Sequence, residues 1–161
     1  MGIPLSERAS LCAGCKTDGI CQLGITDIRR DADDTIRADV RMGPKMEGGP
    51  GVAHGGWTAA VFDEVIGQVP LLHGVLSVTK TLTVNYLRPV PIGRDLSVEA
   101  VVASRQDGRW ELTGRLILDS TGVELATASG IWIERDRSHF HRHQQWLHEQ
   151  DALASLPVQP P

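Results

Sequence analysis

The apolar and polar residues alternate in the first part of the chain. The segments LGITDIRR and TIRADVRM predict two short strands, separated by the acidic turn DADD, between about residues 22 and 42. The following stretch, GPKMEGGPG at 43–51, is rich in glycine and proline and predicts a loop. This part of the chain is therefore predicted to form a hairpin followed by an irregular connection.

The apolar period lengthens to three or four residues in HGGWTAAVFDEVIG, which begins at His54. That spacing predicts a helix. Apolar side chains cover most sides of it, which is typical of a buried helix. Gly67 should weaken its end, and Pro70 is expected to stop it. The apolar residues that carry this pattern are Trp57, Ala60, Val61, Phe62, Val65, Ile66 and Val69.

Alternation returns in the second half of the chain. Four segments rich in β-branched residues, at 75–87, 95–105, 109–119 and 123–135, are separated by the turns PVPIG, QDG and STG. Such short turns favour antiparallel neighbours. The sequence therefore predicts an α+β architecture in which an antiparallel sheet of about six strands covers one long central helix.

The two ends of the chain differ from the middle. We predict an irregular cysteine-containing lead-in over 1–21, the main domain over 22–135 and a polar, histidine-rich extension over 136–161. His139, His141, His143 and His148 in the extension are compatible with a metal-binding tract or with a solvated helix at about 138–154. We favour the helix, because alternating histidines point to different faces of a helix.

Composition limits the classes of partner. The chain has 161 residues, which suits one domain, and 41% of them are hydrophobic. The net charge of -4 and the lack of a basic run argue against nucleic acid as a partner. No apolar run is long enough to span a membrane. No secretory signal is visible, so we expect a cytoplasmic protein.

Three cysteines lie close together near the start, at Cys12, Cys15 and Cys21. An odd number without a secretory signal suggests free thiols in a reducing compartment. A structural zinc site needs four ligands, and the chain has no fourth cysteine. We therefore predict a tight turn and no metal, with a zinc site completed by a distant histidine as the alternative.

Candidate chemistry lies at His54-Gly55-Gly56. A glycine pair directly before a helix leaves backbone N–H groups accessible where the helix dipole is positive, which suits an oxygen that gains negative charge. Asp63 follows two turns later among apolar residues, and a buried carboxylate is costly unless it is paired or functional. The stretch therefore offers both oxyanion donors and a base or nucleophile for acyl transfer. The alternative is a simple turn, with Asp63 paired to an arginine.

Helix geometry separates these two groups. Asp63 lies seven residues after Gly56, which is roughly 10 Å along a helix, so both cannot reach one carbonyl group. A two-fold dimer with antiparallel helices would place each glycine pair beside the aspartate of the other subunit. We therefore predict a homodimer with two equivalent, shared sites.

The same stretch carries a family resemblance. HGGWTAAVFDE, preceded by GGPGVA and followed by TKTLTVNYLRPVPIGRDLSVEAVV, resembles the hotdog-fold acyl-CoA thioesterases, and most closely the 4-hydroxybenzoyl-CoA and phenylacetate-pathway type. The similarity covers about residues 43–135. It implies the hotdog fold and hydrolysis of an acyl-CoA thioester. It implies a homodimer or homotetramer. It implies no cofactor, since coenzyme A is part of the substrate.

The resemblance also implies roles for particular residues. The backbone N–H of Gly55 would polarise the thioester carbonyl, and His54 would orient that carbonyl or the loop. Asp63 of the opposing subunit would act as base or nucleophile. Thr79 would help to place the attacking water, with Thr81 as the nearby alternative.

One departure and one weaker candidate accompany these assignments. Some relatives have a glutamine a few residues before the histidine, whereas this chain reads EGGPGVA there. Either Gly55 acts with less help or another group substitutes. Glu64 is a weaker candidate than Asp63, because one helical position turns it about 100° away.

Coenzyme A requires cations at the mouth of the site. Arg88, in YLRP, is the first candidate for a phosphate contact, followed by Arg105 and Arg109 around the QDG turn; the alternative for each is an ordinary surface arginine. Trp57 and Phe62 are candidates for lining the acyl pocket, and each is equally compatible with the core. No feature of the sequence specifies the acyl group.

Two other functions remain compatible with these residues. A hotdog hydratase or dehydratase would use a histidine and an acid on one substrate carbon, and His54 and Asp63 form the obvious pair. A non-catalytic acyl-CoA binding protein would keep the fold without turnover. The context of His54 and Asp63 fits a thioesterase better than either.

Overall fold

A computed structural model describes residues 21–154, which form a six-stranded antiparallel sheet against one long helix. The strands lie in the order β1-β2-β6-β7-β8-β5, and β3 and β4 form a separate two-stranded sheet. This arrangement confirms the predicted α+β architecture. The elements are β1 (Ile25–Arg30), β2 (Ile36–Arg41), a 3-10 turn (Pro44–Met46), β3 (Glu47–Gly49), β4 (Val52–Ala53), α1 (Gly55–Leu72), β5 (Ser77–Tyr86), β6 (Asp95–Gln106), β7 (Arg109–Leu118), β8 (Val123–Glu134) and α2 (His139–Ala154).

Helix α1 packs on the inner face of the sheet. Its apolar side chains are almost completely withdrawn from solvent, including Val61, Phe62, Val65, Ile66 and Val69. They meet alternate, inward-facing residues of the strands, as expected for a sheet with one covered face. The core therefore lies between α1 and the sheet.

The end of α1 differs from the prediction, because the helix passes through Pro70 and continues to Leu72. The terminating residue is Gly74, which adopts a positive φ of 77°. Its N–H donates to the carbonyl of Leu71, and the N–H of Val75 donates to the carbonyl of Pro70. This pair of bonds is a Schellman motif, which satisfies the last helical carbonyls. The expectation that Pro70 stops the helix was wrong: Pro70 lies inside the last turn of α1, and the Schellman bonds close the helix after it.

Strand β5 lies at one edge of the sheet and contains a bulge. Thr79 pairs with Trp132 and Thr81 pairs with Ile131, so Lys80 is the extra residue. Paired residues share a face of the sheet. Since Trp132 is buried in the core, Thr79 faces α1 and Thr81 faces the outer surface.

Helix α2 confirms the predicted extension helix, starting one residue later than expected. Within the described chain, no helix combines the length and apolarity of a transmembrane span. Residues 21–154 hold no group of three side chains placed to ligate a metal. Cys12, Cys15 and the proline-rich tail lie outside the described residues, and the domain boundaries at 21 and 135 stay predictions.

Candidate active site

The start of α1 is organised by His54. Its backbone is extended, and its Nδ1 accepts a hydrogen bond of 2.9 Å from the N–H of Gly56. Its carbonyl accepts bonds from the N–H groups of Trp57 and Thr58, at 3.0 and 3.3 Å. The first N–H groups of a helix have no acceptor within the helix. Of these, the imidazole takes the N–H of Gly56, whereas Gly55 is exposed and its N–H has no acceptor among residues 21–154.

The same bonds polarise the N–H of Gly55. The carbonyl of His54 and the N–H of Gly55 belong to one peptide unit, and two donors to that carbonyl strengthen the N–H as a donor. The bond to Nδ1 also fixes the neutral imidazole with its proton on Nε2. The helix start therefore presents a backbone donor beside an exposed ring, and the roles of Gly55 and His54 in a reaction stay predictions.

Tyr86 is a member of this site that sequence reasoning missed. Its hydroxyl donates to the carbonyl of Gly55 at 2.8 Å and so ties the start of α1 to the end of β5. The ring lies beside the helix start, and a Cβ placed on Gly55 would make an ordinary contact with it at 3.5 Å. The only signal in the sequence was the period of β5, which places Tyr86 on the same face as the helix.

Asp63 and Thr79 form the second half of the site. The Thr79 hydroxyl donates to Oδ1 of Asp63 at 2.7 Å. Thr81 is directed to the opposite face, so the bulge in β5 selects Thr79 of the two candidates. Glu64 accepts instead from the side-chain amide of Gln68 at 2.8 Å.

The sequence argument that Asp63 is buried was wrong for the single chain. Its side chain is exposed, as is that of Thr79. The reason lies in the strand order: α1 turns this side toward β5, and β5 is the last strand of the sheet. A solvated carboxylate here needs no ion pair, and none with an arginine forms among residues 21–154.

One chain keeps the two halves apart. Gly55 and Asp63 are separated by eight residues of α1, which is about 12 Å along the helix axis. A cleft of about 620 Å³ contains neither of them. It lies on the outer face of the sheet and is lined by polar residues such as Arg37, Glu99 and Thr127.

Trp57 and Phe62 belong to the core of the single chain. They are 3% and 0% exposed, respectively. The indole N–H of Trp57 donates to the carbonyl of Leu23 at 3.1 Å. The fold therefore gives both residues a packing role, and their contribution to an acyl pocket stays a prediction.

The three candidate arginines do not gather in one chain. Arg88 follows β5 at the end where Tyr86 meets the helix start, and its guanidinium donates to the carbonyl of Glu124 at 2.7 Å. Arg105 lies at the other end of the sheet, in the cross-strand row that runs through Trp110 and Trp132 to Thr79.

Arg105 and Arg109 already have acidic partners. Arg105 pairs with Glu134 at 2.9 Å and stacks 4.1 Å above the Trp110 ring. The Trp110 indole N–H and the Arg105 guanidinium hold the pKa of Glu134 below its usual range. Arg109 pairs with Glu111 at 2.9 Å and lowers the pKa of that carboxyl. Each is therefore a structured surface arginine in the single chain.

Comparison with known proteins places this site in a family context. Residues 50–124 match the family model described as the Thioesterase superfamily. The acyl-coenzyme A thioesterase THEM4 of Xenopus laevis is 40% identical over 95 residues, which are 57% of this chain and 41% of that protein. This chain thus spans about two fifths of the length of that relative.

Solved structures share the fold. A phenylacetic acid degradation-related protein from Ralstonia eutropha has a TM-score of 0.66 at 24% identity, covering 80% of this chain and 95% of that one. The protein smu.793 from Streptococcus mutans, solved bound to acetyl CoA, has a TM-score of 0.59 at 20% identity, covering 63% and 81%. Together with the sheet order, these likenesses confirm the hotdog architecture.

Proposed function

We propose that this protein hydrolyses acyl-CoA thioesters to a free acid and coenzyme A, because residues 50–124 match the family model described as the Thioesterase superfamily. The observation that carries the proposal is the hydrogen bond from Thr79 to Asp63, which holds a carboxylate and a hydroxyl together on an exposed surface. Similarity to a relative named as an acyl-coenzyme A thioesterase and to a protein solved with acetyl CoA supports the substrate class.

The site is complete only in a two-fold dimer. Gly55 and Asp63 lie too far apart on one helix to serve one carbonyl group. Within residues 21–154, β5 has a neighbouring strand only on its β8 side, so its ten-residue outer edge is open, and such edges pair readily with another chain. Tyr86 and Leu87, at the end of this edge, are 54% and 49% exposed in the single chain. Such exposed, large hydrophobic side chains suit a surface that a second chain covers. Antiparallel pairing of two β5 edges brings the two helices antiparallel, with Gly55 of one subunit near Asp63 of the partner subunit.

The chemistry follows from these contacts. The N–H of Gly55, at the positive end of α1, binds the thioester oxygen and stabilises the negative charge that forms on it. A water molecule is held between the Thr79 hydroxyl and the second oxygen of Asp63, both from the partner subunit. Asp63 takes a proton as the water oxygen bonds to the carbonyl carbon. The tetrahedral intermediate then breaks its C–S bond, and coenzyme A leaves as a thiolate.

The candidate arginines lie at different distances from the shared site. Arg88 lies at the Gly55 end of one subunit. Arg105 lies in the Thr79 row of the partner subunit, but three strands away from Thr79, about 14 Å across the sheet. Arg88 is therefore the first candidate for the phosphates of coenzyme A. Binding a phosphate would cost Arg88 the weakest existing interaction of the three, since its guanidinium donates to a carbonyl rather than to a carboxylate.

A thiol-release assay tests the proposal. Short, long and aromatic acyl-CoAs are offered to the wild type, to Asp63→Asn and to Glu64→Gln. We expect release by the wild type, a loss of at least about 100-fold for Asp63→Asn, and near wild-type rates for Glu64→Gln, because Glu64 is engaged by Gln68. Full activity of Asp63→Asn would refute the role of that residue.

The same panel separates the other functions. Saturable binding of every acyl-CoA without thiol release would show a binding protein. A change in double-bond absorbance without thiol release would show a hydratase or dehydratase. Either result would overturn the proposed hydrolysis.

A further inference from the structure

Tyr86 reaches the start of α1 from the end of β5. Its hydroxyl donates to the carbonyl of Gly55 at 2.8 Å. In an α-helix a carbonyl accepts a bond from the N–H four residues further on, so the phenol gives this oxygen a second donor. Gly55 is exposed, so water could take the same place without loss to the helix. The bond from Tyr86 is therefore additional to those that form α1.

The backbone that carries Tyr86 is fixed to the sheet. Tyr86 pairs with Ala126 of β8, and the N–H groups of the next two residues, Leu87 and Arg88, both donate to the carbonyl of Leu125 at 2.9 Å. Strand β8 lies inside the sheet, between β5 and β7. The phenol therefore extends from a firmly held part of the fold, although its ring is half exposed.

The bond to Gly55 continues as a chain of hydrogen bonds. The carbonyl of Gly55 and the N–H of Gly56 belong to one peptide unit, and that N–H donates to Nδ1 of His54 at 2.9 Å. A donor to the carbonyl strengthens the N–H of the same unit. The chain therefore runs from the Tyr86 hydroxyl through one peptide unit to the imidazole, and it supports the tautomer with the proton on Nε2.

Gly55 is the joint between two peptide units. One unit carries its N–H, the proposed donor to the thioester oxygen, and the other carries the carbonyl that the phenol holds. Glycine has no side chain to restrict rotation between the two units. We propose that Tyr86 is a positioning residue: by holding the second unit from the sheet, it keeps the N–H of Gly55 in the orientation that binds the thioester oxygen. This role rests on the proposed hydrolysis.

Removal of the hydroxyl alone separates this role from packing. In Tyr86→Phe the half-exposed ring keeps its contact with Gly55, and no buried polar group loses its partner. We expect kcat to fall about 10-fold, because a misaligned donor binds the transition state less well. KM should stay within about 2-fold, since the hydroxyl bonds Gly55 and not the substrate. The urea midpoint should be nearly unchanged.

Two measurements on the full chain test the inference. Thiol release gives kcat and KM, and NMR gives the exchange rate of the Gly56 amide and the tautomer of His54 from its ring ¹⁵N shifts. In Tyr86→Phe we expect faster exchange of that amide and a mixture of tautomers. Thr83→Val is the matched control, because it removes a hydroxyl from the same strand on the opposite face of the sheet. It should behave as the wild type in both measurements.

The outcomes separate this inference from the proposed hydrolysis. An active wild type with an equal kcat in Tyr86→Phe would overturn the positioning role and leave hydrolysis standing. Unchanged amide exchange and tautomer in Tyr86→Phe would overturn the role whether or not thiol is released. A raised KM at constant kcat would assign the phenol to substrate binding, and a large fall of the urea midpoint would assign it to stability; either would overturn positioning. No thiol release by the wild type would instead overturn the hydrolysis on which the role rests.

Discussion

Replacing Gly55 with proline removes one backbone N–H from the proposed site and leaves the helix in place. Proline is favoured at the first position of a helix, where its missing N–H breaks no intrahelical bond. The residue before a proline must be extended, and His54 already has φ -62° and ψ 133°. The nearest neighbour of a new Cβ is the Tyr86 ring at 3.5 Å, an ordinary contact. The substitution therefore isolates the oxyanion donor.

The expected effect on rate is large and the effect on stability small. Loss of one oxyanion donor costs about 100- to 1,000-fold in kcat, or about 2.7–4 kcal/mol of transition-state stabilisation. The free energy of unfolding should change by less than about 1 kcal/mol, since no buried contact is lost. Gly55→Ala is the matched control, because it adds a Cβ at the same place and keeps the N–H.

Thiol release from the best acyl-CoA, together with urea unfolding, measures both quantities. We expect Gly55→Ala to keep most of the activity and Gly55→Pro to lose it while remaining folded. Equal activity of the two variants would show that this N–H does not bind the carbonyl. An equal and large loss in both would point to crowding of the site mouth instead.

Three further outcomes follow from individual contacts. Thr79→Val removes the hydroxyl that donates to Asp63 and should lower kcat about 10- to 100-fold. Thr81→Val, on the outer face of the sheet, should leave kcat unchanged. Equal rates of the two variants in a thiol-release assay would contradict a role for Thr79 in the site. Gly114→Ala places a Cβ 2.9 Å from Cδ1 of Ile66 and should cost about 1–3 kcal/mol in urea unfolding; adding Ile66→Val should recover part of it, and additive losses would contradict this packing. The Ser138 hydroxyl and the Arg142 guanidinium lower the pKa of Asp136 to about 2. The stabilisation that the Asp136 carboxylate gives to α2 is therefore present above the unfolded pKa of 3.8 and is lost as the pH falls through about 2. A titration of this carboxyl group near pH 3.8, measured by NMR, would contradict this.

The strands were predictable because their signals are local. Alternation and the turns QDG and STG placed β6, β7 and β8 within two residues of their observed ends. The helix end was predicted less well, because two stop signals compete. Pro70 lowers helix propensity, but the Schellman bonds at Gly74 satisfy the terminal carbonyls and determine where α1 ends.

The site was predictable only in its local half. His54, Gly55 and Gly56 are consecutive, so their shared position at the helix start follows from the sequence, whereas the bond from the Gly56 N–H to His54 was not predicted. The environment of Asp63 depends on which strand lies beside it, and the strand order is a long-range property. The extra residue Lys80 changes the face on which Thr79 and Thr81 lie, so strict alternation could not choose between them.

Subunit mixing tests the shared site most directly. Gly55→Pro and Asp63→Asn homodimers should each be nearly inactive, because every site lacks one component. After unfolding and refolding an equal mixture, half of the dimers are mixed, and each mixed dimer contains one site with both wild-type groups. We predict recovery of about a quarter of the wild-type rate. No recovery, with mixed dimers demonstrated by mass, would contradict a site built from Gly55 of one subunit and Asp63 of its partner.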